Sequence, residues 1–404
     1  MVVLVLAIFT ADIQTSLSAQ EISPIMDDRV DYGVDSGIET APAAPLVRQD
    51  EVKRGGWELG AVISAAYDNN IFLSAKKPVS DMVFRIGPTV AYTKGDAKEG
   101  EGGFIQLAYR PTAVIYAKND SDNRVDQQAL LTAGWQGKVS RLVYKGGIQK
   151  LGDATADTGG QTDRLEFENE LRAAWLPREK VILELAVGNK QSDYSDPTLF
   201  DASKTYCEVA ARYAYSPKTE LGLVYQVARF KVRGSADQDT QQLTGVIDWQ
   251  PREKVRVNLK AGAEYRKVGS DSQVNPVLEG RADWTPREGT NLYLTAYQRQ
   301  EASAYYAGQI YNLKGVTAGV SQRLRGNWTA RLEGGVEKAS YSRVSGSGPS
   351  GRDDRIWFVR PALEYEISDK ANIVLFYRAT DNSSSDAAFG YGQQMAGIEF
   401  NYQF

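Results

Sequence analysis

Histidine is absent from all 404 residues, and cysteine occurs once, as Cys207. Without histidine there is no Ser–His or Cys–His nucleophile activation, no imidazole acid–base catalysis and no His-ligated zinc. A single cysteine excludes an intrachain disulfide framework and a thiolate metal cluster. No catalytic residue, metal or cofactor is therefore expected, and the chain does not read as an enzyme. Mean hydropathy is −0.40, and no run of about 18 apolar residues follows the N-terminus, so no membrane-spanning helix is expected. Charge of one sign is also lacking. Lys plus Arg is 47 against 51 Asp plus Glu, a net −4 with no basic footprint for nucleic acid. No nucleotide-binding motif is present either, so any transport must draw its driving force from elsewhere.

What is present is 37 Gly and 22 Tyr, a combination that points to strands, turns and interfacial aromatics. Residues 1–19 read as a signal peptide. The run Val2, Val3, Leu4, Val5, Leu6, Ala7, Ile8, Phe9 is too short to span a bilayer, and the small residues Ser16, Ser18 and Ala19 suit cleavage, although no basic residue precedes the run. Residues 20–56 carry Asp27, Asp28, Asp31, Asp35 and Glu39 together with Pro24, Pro42 and Pro45, and read as a periplasmic acidic linker.

From Trp57 onward one unit recurs. A strand ends in an aromatic residue and a short turn follows: Trp135 before Gly137, Trp175 before Pro177, Tyr215 before Pro217, Trp249 before Pro251, Trp284 before Pro286. Longer polar stretches, such as 118–124, 152–163, 193–202, 301–309 and 342–353, separate these turns. Alternating short and long connections are the sequence mark of an outer-membrane barrel. The strands alternate with period two, so successive side chains face opposite sides. Val255, Val257, Leu259, Ala261, Ala263 and Tyr265 oppose Arg256, Asn258, Lys260, Gly262, Glu264 and Arg266. Leu165, Phe167, Leu171, Ala173 and Trp175 oppose Arg164, Glu166, Glu168, Glu170 and Arg172, with Asn169 the one break on the apolar side.

The predicted fold is all-β: a transmembrane antiparallel up-and-down barrel over residues 57–404. About 18 strands are expected, or 16 if an N-terminal pair is misread. Ile398, Phe400, Tyr402 and Phe404 alternate with Glu399, Asn401 and Gln403, and this last strand resembles the signal that barrels offer to the outer-membrane assembly machinery, with Tyr402 and Phe404 as its recognised side chains.

Tyr67-Asp68-Asn69-Asn70-Ile71-Phe72, at the end of the first strand, resembles the Tyr-Asp-x-Asn-Ile-Phe signature of the β-barrel porin family associated with exopolysaccharide operons. The resemblance covers the barrel region and implies an outer-membrane location near polysaccharide synthesis and export genes. It brings no catalytic residues.

If the apolar faces meet lipid, the opposite faces give the pore-lining candidates: Arg110, Lys145, Glu166, Glu168, Arg172, Arg212, Arg256, Lys260, Glu264, Arg281, Arg331, Glu333, Arg360, Glu364 and Arg378. Their signs interleave, which suits a wall of cross-strand ion pairs around a wet pore, or a track that passes sugar hydroxyls and uronates. Tyr293 and Tyr297 face the lumen if Leu292 and Leu294 face lipid, and there they are placed to stack on sugar rings; in the reverse phase they are lipid-facing aromatics. No connection looks long enough to fold in as a constriction. The leading expectation is passage of polysaccharide or another hydrophilic solute through the outer membrane. The alternative is a general diffusion porin for small solutes; an outer-membrane enzyme or a structural or adhesive barrel ranks lower. Expected partners are outer-membrane lipid and lipopolysaccharide, the assembly machinery, a periplasmic polysaccharide-export component and the solute itself.

Overall fold

A computed structural model describes residues 55–95, 101–306, 309–343 and 351–404. The expected signal peptide and all but the last two residues of the linker lie outside the described residues.

The described residues form twenty strands: β1 (Gly56–Asp68), β2 (Asp81–Lys94), β3 (Gly102–Tyr116), β4 (Arg124–Gln136), β5 (Ser140–Leu151), β6 (Ala154–Thr155), β7 (Gly160–Gln161), β8 (Arg164–Arg178), β9 (Val181–Tyr194), β10 (Ala202–Ser216), β11 (Thr219–Val232), β12 (Gln238–Arg252), β13 (Val255–Val268), β14 (Asp271–Arg287), β15 (Thr290–Ala302), β16 (Gln309–Arg323), β17 (Trp328–Arg343), β18 (Asp353–Ser368), β19 (Ala371–Ser384) and β20 (Tyr391–Gln403). Eighteen of them make one sheet; β6 and β7 pair only with each other. Each of the eighteen pairs antiparallel with its chain neighbour, β5 passing directly to β8. β20 returns to β1, Ile63 opposite Phe400, and the sheet closes. Closure leaves no strand edge with unpaired backbone groups, the condition for a sheet to cross a bilayer.

Side-chain parity sorts the wall into two surfaces. In β2, Met82, Phe84, Ile86 and Pro88 are exposed and Asp81, Val83, Arg85, Gly87 and Thr89 are buried. In β11, Leu221, Leu223, Tyr225 and Val227 are exposed while Glu220, Val224 and Ala228 are buried. The same alternation round the barrel leaves Leu59, Ile63, Leu107, Leu142, Leu171, Leu185, Leu243 and Leu294 among a continuous exposed apolar band. A soluble protein rarely exposes an apolar patch above a few hundred Å²; here the outer wall is itself the solvent-facing surface for lipid. Trp57, Trp135, Trp175, Trp249, Trp284 and Trp328 are six of the seven tryptophans, and all sit on the outward face at the end where β1 begins. Trp57 packs on Tyr92 and Trp328 on Tyr365, at 4.8 and 4.6 Å between ring centroids. This is an interfacial aromatic girdle. Polar breaks in the outer wall are covered by tyrosine hydroxyls. Tyr144 donates to Asn169, Tyr109 to Gln127 and Tyr225 to Gln241.

The girdle end carries the tight connections, for instance Glu179 and Lys180 between β8 and β9 or Pro217 and Lys218 between β10 and β11. Short turns mark the periplasmic side of such barrels, so this end is called inner and the opposite end outer. Arg124 and Asp193, at the edges of two of the polar stretches, belong to strands, and β13 joins β14 through Gly269 and Ser270 alone, a tight turn on the long-loop side.

Candidate functional site

Inward parity places Arg110, Lys145, Glu166, Glu168, Arg172, Arg212, Arg256, Lys260, Glu264, Arg281, Tyr293, Tyr297, Arg331, Glu333, Arg360, Glu364 and Arg378 on the inner surface of the wall. Tyr402 and Phe404 lie on the outward face of the last strand, 4.8 Å apart edge to face, and the Phe404 amide donates to Leu59 across the closing seam.

Most of the inward charges are engaged with one another. Arg172 reaches Glu170, Glu184 and Glu208 at 3.0, 3.2 and 3.2 Å. Arg212 reaches Glu184, Glu220 and Asp248 at 3.6, 3.1 and 3.3 Å. Glu184 belongs to both sets, so one network runs from β8 to β12. Lys190 pairs with Glu168, Arg281 with Asp283, Arg331 with Glu364 and Arg360 with Glu333. Arg266 is fully buried, bonded to Glu264 at 2.9 Å and to Gln238 at 2.8 Å, over the Phe230 ring. Such pairing offsets the cost of holding charge away from bulk water and fixes each side chain.

A second device recurs across the wall. A tyrosine lies flat over a glycine on the next strand and donates its hydroxyl to a glutamate one strand further on. Tyr206 crosses Gly188 to Glu170, Tyr293 crosses Gly319 to Glu333, and Tyr297 crosses Gly315 to Glu337. A Cβ on Gly315 would stand 2.4 Å from Tyr297 Cζ, so only glycine admits the ring. The other face of each ring is covered too: Arg281 sits 4.8 Å over Tyr293 and Arg299 4.6 Å over Tyr297. The expectation that these two tyrosines stack on sugars is therefore corrected. They do face inward, but both ring faces are occupied by the wall.

The expectation that no connection folds in is overturned by residues 152–163. This segment leaves β5, makes the short β6–β7 hairpin and returns to β8, and its tip docks on the opposite side of the barrel. Ala154 and Ala156 pack against Leu313, Tyr341 and Ile356, inward side chains of β16 to β18. Arg352 donates from Nη1 to the Asp157 carbonyl at 2.9 Å and from Nη2 to the Ala156 carbonyl at 3.0 Å. The same guanidinium binds Asp354 at 2.6 Å and lies 3.9 Å from the Asp157 carboxylate. Ser303 Oγ and the Ala304 amide donate to Asp157 at 2.9 and 2.7 Å. Burial pushes the Asp157 carboxyl above the ordinary aspartate range, against the pull of Arg352 and these donors. Phe389 and Tyr341 flank the Arg352 guanidinium at 3.9 and 4.1 Å. The segment is a strap across the outer mouth of the lumen. Sequence reasoning missed Asp157 and Arg352 because a loop aspartate and an arginine in a Gly-rich stretch both read as solvated.

The signature residues form a latch beside the strap. Asp68 accepts from the Asn70 amide at 2.8 Å and from Gln393 at 2.9 Å; Asn69 accepts from the Gln394 amide at 2.7 Å. Asn70 donates to the Ser74 and Gly392 carbonyls. Ile71 is buried against Val83, Val114 and Tyr116, and Leu73, at φ 53°, enters the cluster that holds the strap. The motif thus joins the first outer loop to the seam between β1 and β20.

An apolar wall around a charged interior makes this an outer-membrane barrel. No family model and no curated protein sequence matches the chain. Solved structures are similar in form. OpdL of Pseudomonas aeruginosa shares 12% identity at a TM-score of 0.46, over 87% of this chain and 98% of that one. A BenF-like porin from Pseudomonas fluorescens Pf-5 shares 11% at 0.46, over 86% and 99%. The siderophore receptor PirA of Pseudomonas aeruginosa shares 9% at 0.44, over 87% and 81%. At these values the likeness carries no argument about solute, direction or partner.

Proposed function

We propose that the chain is a passive channel of the porin kind, which lets small hydrophilic solutes cross the outer membrane. The observation that carries this is the strap. A closed barrel of eighteen strands encloses an aqueous lumen, and residues 152–163 narrow its outer mouth from wall to wall. A narrowed mouth suits small solutes and hinders a polymer. The inward charges line the path, and their pairing makes the wall a fixed, polar surface rather than a set of free binding groups. Reconstituted in liposomes, the full chain is expected to admit small sugars and to exclude oligosaccharides above a size limit. Replacing residues 154–160 with a Gly-Ser linker should raise that limit. Admission of large oligosaccharides by the intact chain would reject the reading.

Polysaccharide export is the second reading, favoured by the resemblance of Tyr67 to Phe72 to the exopolysaccharide-associated signature. It requires the strap to leave the mouth. Gene deletion that abolishes surface polymer without changing small-solute uptake would establish it over the first.

A further inference from the structure

We propose that the inner mouth of the barrel holds an anion site centred on Arg141, for a small solute bearing a carboxylate or phosphate group; access to it rests on the channel reading. Arg141 is the second residue of β5 and points inward just above the inner turn. It is 6% exposed, yet Nε, Nη1 and Nη2 all lack a hydrogen-bond partner. Arg266 and Arg164, also deeply buried and inward, differ. Arg266 holds Glu264, and Arg164 holds Asp153 and Glu166 at 2.7 and 2.6 Å. A guanidinium withdrawn from water without a partner is costly, and among the described residues no acid pairs with it. Across the inward faces of β3, β4 and β5 the one acidic side chain is Asp126, already bound to Arg124 at 3.1 Å.

The surroundings are shaped as a seat. Phe104 lies 5.8 Å from the guanidinium carbon, its ring resting on Gly134, where a Cβ would fall 2.7 Å from the ring. The ring shields one side of the fork. Gln136 stands directly opposite Arg141 in the register, is 4% exposed, and its Oε1 also lacks a partner. A guanidinium fork with all its donors free matches the two oxygens of a carboxylate or the edge of a phosphate. An amide beside it supplies a further donor once rotated.

The test uses the full chain in detergent micelles. Melting is followed by heat-modifiable gel migration in acetate or inorganic phosphate against chloride at equal ionic strength. The wild type should melt higher in acetate or phosphate, saturably. In Arg141→Gln the saturable response should vanish, or its half-effect concentration rise at least tenfold; the general salting effect of phosphate persists in the variant and is subtracted. If Arg141→Gln does not fold, Arg141→Lys keeps the charge without the fork and should weaken the response tenfold. A wild type without a saturable response overturns the proposal, as does a variant that responds equally. This readout needs no conduction, so a protein that shows the anion response but no conductance refutes the channel and keeps the site. In planar bilayers, loss of anion preference in the reversal potential of Arg141→Gln would add support. An unchanged potential would place Arg141 off the solute path and reject its role toward a solute.

Discussion

Arg352→Ala removes the group that fastens the strap. The guanidinium gives two charge-assisted hydrogen bonds to strap carbonyls and faces the Asp157 carboxylate, with every partner buried. Its loss leaves Asp157 with Ser303 and Ala304 as donors and Asp354 without its guanidinium partner. Breaking a buried pair by removing one member costs about 3–5 kcal/mol. The cost falls on the docked state, since an undocked strap exposes its carbonyls and Asp157 to water. A loss of about 3 kcal/mol shifts the ratio of docked to undocked strap by roughly two powers of ten. In planar bilayers the variant should therefore open to a higher conductance than the wild type, or flicker between two levels, while the barrel still shows heat-modifiable migration. Arg352→Lys keeps the charge but not the fork, and should fall between the two. A variant with wild-type conductance, noise and size limit would refute the reasoning. It would mean that packing of Ala154 and Ala156 alone fixes the strap, or that the strap does not limit the path.

Three further outcomes follow from the same geometry. Leu259→Arg puts a charge on the lipid face and should cost about 2–4 kcal/mol in barrel stability, whereas Lys260→Ala, on the inner face, should cost far less; unfolding in urea from lipid vesicles compares them. Gly315→Ala forces Tyr297 off its seat and from Glu337, and should cost about 1–3 kcal/mol in the same assay. Burial raises the Asp157 carboxyl in the docked strap above its undocked value. The docked state therefore binds the proton more tightly, and docking strengthens as pH falls and weakens as pH rises through the docked value. Conductance should fall on acidification in a window above the ordinary aspartate pKa, and Asp157→Asn should flatten that dependence.

The barrel is legible because lipid outside and polar groups inside impose one alternation on every strand. Leu259 beside Lys260, or Leu171 beside Arg172, already states which way each residue faces. The aromatic residues before inner turns, such as Trp135, Trp175, Trp249 and Trp284, fix which end is which. The site is legible only in part. Arg141 follows the same parity as Leu142 and Tyr144 in reverse, so its inward face was open to the same reading. That it lacks a partner depends on which residues of β3, β4 and β8 stand beside it, and register is not written in one strand. The Tyr–Gly–Glu triads are hidden for the same reason, since Tyr297, Gly315 and Glu337 meet only across three strands. The strap escapes notice because its buried residues are small or charged: Ala154, Ala156 and Asp157 carry no apolar signal, and their partners lie some 150 to 200 residues away. Asn69 and Asn70 read as turn residues; their hold on Gln394 and Gly392 appears only once the barrel has closed.

Single-channel recording from the full chain in a planar lipid bilayer tests the central claim most directly. A closed barrel with a charged lumen and a strapped mouth should give discrete, ohmic conductance steps, and excision of residues 154–160 should enlarge them. A folded, heat-modifiable barrel that inserts yet conducts no more than bare lipid, with or without the strap, would contradict the account.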